Sequence, residues 1–132
     1  MKKLAFAATT AALIFCGPTL ALAAEQWLVT EENTGGVKGG QGNWAITRDG
    51  SKIKGTAEIQ SDNGSMLTYK VDGEEAAGDN YTITMSDRSD GKKGCVWKGH
   101  PPSGAGSQQR GLVGYAECDG EKLIVRASVF GK

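Results

Sequence analysis

Cys95 and Cys118 are the residues of this chain whose chemistry is simplest to name. Two thiols permit one intramolecular disulfide, and the third cysteine, Cys16, lies in a segment expected to be removed. A redox pair usually takes the form Cys-x-x-Cys, and a zinc site needs further good ligands, whereas His100 is the only histidine. The expectation is a structural disulfide, and closing a loop of this length adds about 3 kcal/mol in the chain-entropy account.

The other reactive side chains form no catalytic constellation. His100 stands in "GHPPSGAGS" with no neighbouring acid to orient its ring. Ser103 and Ser107 flank glycines without the strand-turn-helix setting of a nucleophile elbow. Glu31-Glu32 and Glu74-Glu75 are adjacent pairs that face opposite ways in a strand and are both wet in a loop, so they read as solubility charges. Asp87, Ser89 and Asp90 offer oxygens before a glycine, but the alternating acids and late bidentate glutamate of a calcium loop are missing. No catalytic residue, metal or cofactor is expected.

Binding chemistry has more to draw on. Arg88, Lys92, Lys93, Lys98 and Arg110 fall in two segments that the disulfide is expected to hold near one another. Trp97 shares a face with Cys95, and Tyr115 lies on the face opposite Cys118. One of these aromatics is therefore expected in the core and the other on the outer surface. With His100 these residues define a candidate binding rim: Arg88, Lys92, Lys93, Trp97, Lys98, His100, Arg110 and Tyr115. The longest interruption of strand pattern, from Gly99 to Gln109, belongs to it, and two prolines stiffen its first half.

The elements that must position these residues follow a leader. Lys2 and Lys3, the apolar run Leu4 to Phe15, the breaker Gly17-Pro18 and the small residues of Ala21-Leu22-Ala23 read as a cleaved secretory signal over 1–23. Its removal leaves 109 residues, 24–132, which form a single domain. That domain carries 13 basic and 15 acidic side chains, because Lys2 and Lys3 depart with the signal. A slightly acidic domain argues against nucleic acid or an anionic membrane as main partner. Export to the periplasm or beyond the cell also suits a disulfide.

Nineteen glycines in those 109 residues, lying between short alternating segments, exclude a helical bundle. In "KIKGTAEIQ", Ile53, Gly55, Ala57 and Ile59 fall on one face and charged or polar residues on the other, the period of a half-buried strand. Asp62-Asn63-Gly64 turns the chain into Ser65 to Val71, which alternates again. Further strands are expected at Gln26 to Thr30, Asn43 to Arg48, Asn80 to Met85, Cys95 to Lys98, Gly111 to Cys118 and Glu121 to Phe130. Asp119-Gly120 is the strongest hairpin signal, and a two-residue turn there pairs Cys118 with Glu121 and Glu117 with Lys122.

Eight short antiparallel strands imply an all-β meander, a closed barrel with a sandwich as the alternative. "NWAIT" recurs as "NYTIT", and "GTAEI" as "GYAEC", which suggests two similar half-sheets. Expected inside are Trp44, Ile46, Ile53, Ile59, Leu67, Tyr69, Tyr81, Ile83, Leu123 and Val125. The functional expectation is a non-catalytic binding module, an inhibitor among the options, that engages a protein partner through its loops. A carrier of a small apolar or anionic ligand inside the barrel is the alternative, and an enzyme, for want of any catalytic constellation, comes third.

Overall fold

The computed structural model describes residues 24–102 and 111–131. Its eight strands are β1 (Ala24–Asn33), β2 (Lys38–Asp49), β3 (Lys52–Ser61), β4 (Met66–Ala76), β5 (Asn80–Ser86), β6 (Cys95–Gly99), β7 (Gly111–Cys118) and β8 (Glu121–Phe130). Each pairs antiparallel with the next, and β8 returns to β1, so the sheet closes into a barrel with no helix among the described residues. Closure leaves no long edge open to pairing. The expected signal segment lies outside the described residues.

The alternation that marks each strand is the alternation that fills the barrel. In β3, Ile53, Ala57 and Ile59 are buried while Lys52, Lys54, Thr56, Glu58 and Gln60 face water. Asp119 and Gly120 both adopt positive φ, 40° and 87°. That mirror-image turn matches the right-handed twist of the strands it joins. The resulting register sets Cys118 opposite Glu121, Glu117 opposite Lys122 and Tyr115 opposite Ile124.

Strands β1, β2 and β4 run longer than the hydrophobic pattern predicts. Glu25, Glu31 and Glu75 occupy inward positions at strand ends, and Gly39, Gly40 and Gly42 leave part of β2 without an apolar marker. The repeated segments also behave differently from expectation. Trp44 and Tyr81, Ile46 and Ile83, Ala57 and Ala116 do occupy corresponding buried positions. However, β2 and β3 are neighbours, whereas β5 and β7 are separated by β6. The echo is one of inward residues, not of two half-sheets.

The core is a column of aromatic rings. Trp27 stacks on Trp44 at 5.7 Å, and Trp97 meets Trp44 edge-on at 5.4 Å. Tyr81 and Tyr69 add edge contacts to Trp27 and Trp44. Of the expected interior set all are buried except Leu123, which is half-buried against the same cluster. The Trp97 indole donates to the Gly114 and Val125 carbonyl oxygens, at 3.1 and 3.2 Å, tying β6 to β7 and β8. Cys95 and Cys118 form the disulfide, with their Cα atoms 4.0 Å apart.

Candidate functional site

An up-and-down barrel assigns every connection to one of two ends. Those joining β1 to β2, β3 to β4, β5 to β6 and β7 to β8 lie at one end, here the upper. The remaining three lie at the lower end, with Ala24 and Phe130. Each end is closed by an arginine set among acids and a tyrosine.

At the upper end Arg88 reaches in from the loop after β5. Its Nη1 and Nη2 donate to Glu31 Oε2 and Oε1 at 3.3 and 3.1 Å, and its Nε and Nη2 donate to Asp90 Oδ1 and Oδ2 at 3.1 and 2.8 Å. The guanidinium also lies 4.6 Å from the Tyr69 ring centroid. A relay joins this cluster to the core: Trp44 Nε1 donates to the Tyr69 hydroxyl, which donates to Glu31 Oε2 at 2.6 Å. Burial and the Glu31 charge push the Tyr69 hydroxyl well above its ordinary value, so it remains a donor. Burial opposes the charge on Arg88, but hydrogen bonds to Asp90 and Glu31 outweigh it and raise its affinity for the proton.

The lower end repeats the plan with other residues. Arg48 donates to both oxygens of Glu25 and to Glu75, and its Nη2 donates to the Tyr81 hydroxyl at 3.2 Å. Trp27 Nε1 donates to Glu25 Oε1 at 3.0 Å. Glu31 and Glu75 are therefore not the solubility charges that adjacency suggested. Their outward neighbours are paired too, Glu32 with Arg126 and Glu74 with Lys52.

These plugs redistribute the expected rim. Arg88 has a side chain only 1% exposed and serves the upper plug. Trp97 is wholly buried in the aromatic column. Lys92, in the upper loop, pairs with Glu121, and Lys93 is exposed nearby. His100 lies at the lower end, its backbone bridged to Val113, and Arg110 lies outside the described residues with most of the Gly99 to Gln109 segment. The two loops thought to be held together thus leave opposite ends of β6. The disulfide braces only the upper one, because Cys95 begins β6 and Cys118 ends β7.

What the structure does bring together is a lateral face. Lys98 points outward from β6, between Val96, which opposes Glu117, and His100, which opposes Val113. That places it beside Tyr115, which is 54% exposed. On the other side Lys122 of β8 holds its Nζ 5.2 Å from the Tyr115 ring centroid. Half-buried Val96, Val113 and Ile124 share that outer face, Ile124 directly across from Tyr115. Lys122 and Ile124 were missed in the rim, although the Asp119-Gly120 register already placed Ile124 across from Tyr115.

Among the described residues, grooves open on the exterior and at the ends, and those between β1, β2 and β3, between β1, β2 and β8, and at the upper end have no tryptophan in their lining. The one at the upper mouth holds about 250 Å³ among Glu31, Val37, Ile59, Leu67 and Leu123. Among the described residues no three His, Cys, Asp or Glu side chains are grouped to hold a metal ion. No protein-family model, curated protein or solved structure matches the chain.

Proposed function

We propose that residues 24–132 act in the periplasm or outside the cell as a non-catalytic binding module for a protein partner. The contact surface is the outer face of β6, β7 and β8, with Tyr115 at its centre. The observation that carries this reading is the exposed Tyr115 ring on a wall whose inner side is packed solid. An exposed aromatic ring on a face that also carries half-buried aliphatic side chains is the composition of an interface anchor. The wall beneath is rigid, held by the disulfide and by the Trp97 indole bonds, so docking costs little conformational entropy. For the alternative of a carried ligand, the groove of about 250 Å³ at the upper mouth, above the tryptophan column, offers room.

The test compares the mature protein with its Tyr115→Ala variant, each immobilised and exposed to extracellular and periplasmic proteins of the host. A partner retained by the first and reduced roughly tenfold on the second supports the reading. Equal retention on both overturns it. Native mass spectrometry of the unexchanged protein, if it reveals a bound small molecule, favours the carrier instead.

A further inference from the structure

Resting on that reading, we infer that the partner presents an acidic segment bearing an apolar side chain, which docks across β6–β8 with carboxylates over Lys98 and Lys122. Lys52, Lys70, Lys92 and Arg126 are each answered by a carboxylate of this chain. Among the described residues Lys98 and Lys122 form no ion pair, although both are exposed on the same face. Glu117 stands directly across from Lys122, yet the Lys122 ammonium turns to the Tyr115 ring instead. The two lysines stand on the strands either side of β7, Lys98 level with Tyr115 and Lys122 level with Glu117, which sets their Cα atoms about 12 Å apart.

A pair of carboxylates with an apolar group between them complements a ring that has the Lys122 ammonium over it and Lys98 on the neighbouring strand. The aliphatic floor of Val96, Val113 and Ile124 gives the apolar group somewhere to lie. A bare polyanion such as a sulfated glycan would use the charges and waste that floor. An acidic polypeptide segment uses both. Opposite charge at Lys98 and Lys122, on an otherwise slightly acidic protein, favours the approach of such a segment.

The experiment uses the mature protein with isotopic labelling and a soluble glutamate-rich peptide of about a dozen residues with one central phenylalanine. Expected are amide shift changes confined to β6, β7 and β8, and binding that weakens with salt, as exposed charges require. Lys98→Gln with Lys122→Gln should weaken binding roughly tenfold, and so should replacing the peptide phenylalanine by serine. Both lysines are exposed, and unchanged shifts elsewhere in the barrel show that the variant folds. No binding, shifts on another face, or equal binding of a sulfated oligosaccharide or of the serine peptide overturns the proposal. If Tyr115→Ala loses the natural partner while the acidic peptide fails to bind, the partner chemistry is wrong and the binding face stands. If Tyr115→Ala keeps that partner, the face itself is wrong.

Discussion

A charge inside a barrel this narrow persists only if its donors are answered, and Arg88 meets that condition with four hydrogen bonds to two carboxylates and a tyrosine ring above. Removing one partner of such a pair strands the other without water. Arg88→Met is therefore expected to destabilise the fold by about 3 to 5 kcal/mol, and adding Glu31→Gln should restore part of the loss. Urea unfolding of both variants measures this, and an additive pair would show that the two side chains are not coupled. Asp90 adds a pH signature. Burial pushes its carboxyl up, but hydrogen bonds from Arg88 and the Lys92 amide outweigh that and hold it below the ordinary 3.8. A depressed value means stability present above the unfolded value and lost as pH falls through the folded one. Asp90→Asn should thus cost about 1 to 2 kcal/mol near neutrality and progressively less below about pH 4, as judged by urea midpoints at both values. The inward place of Glu31 was legible, because the step from Trp27 to Val29 continues to it. The place of Arg88 was not, since a charge-rich loop gives no period to follow.

At the scale of the strand, register was readable where the turn was short, and position was missed where it was long. Asp119-Gly120 permits one pairing, and the β7–β8 ladder follows it residue by residue. For the rim, chain order alone would have served: the loops before and after a single strand must leave its opposite ends. The cysteine pair suggests a shared brace, but it clasps only the upper ends of β6 and β7. Replacing both by alanine should lower stability by about 3 kcal/mol while leaving the barrel folded, measured by chemical denaturation against the oxidised protein. Gly114 tests the lower half of the same seam. A Cβ there would lie 1.8 Å from the Lys98 carbonyl oxygen, whereas one on Gly111 meets nothing within 4 Å. Gly114→Ala should therefore cost about 2 kcal/mol or more, and Gly111→Ala close to nothing. Similar costs at the two sites would mean that β6 and β7 are not in close contact.

For the molecule as a whole, the arrangement that makes the barrel stable also decides where binding can occur. Three indoles fill the middle, and an arginine cluster closes each end. The exterior of β3 carries the exposed charges Lys52, Lys54 and Glu58, whereas a barrel wall that meets lipid carries an apolar band. All-β class, strand number and closure were visible beforehand because alternation and turn chemistry agree along the chain. The solid interior was not, because an eight-stranded barrel holds either side chains or one small ligand, and periodicity reports only which way a residue points. The packing has an optical consequence. Trp27, Trp44 and Trp97 are the only tryptophans of the chain, and all are fully buried. Iodide, a charged quencher excluded from a dry core, should quench the folded protein far less than the urea-unfolded chain. Acidification that protonates Asp90 removes a charge that holds the upper plug, so quenching should rise as that end loosens. A hollow carrier behaves otherwise: its emission would be open to quenching at neutral pH and would shift on extraction of a bound molecule. Efficient iodide quenching of the native protein at neutral pH would refute the filled barrel and return the interior to consideration as a binding site.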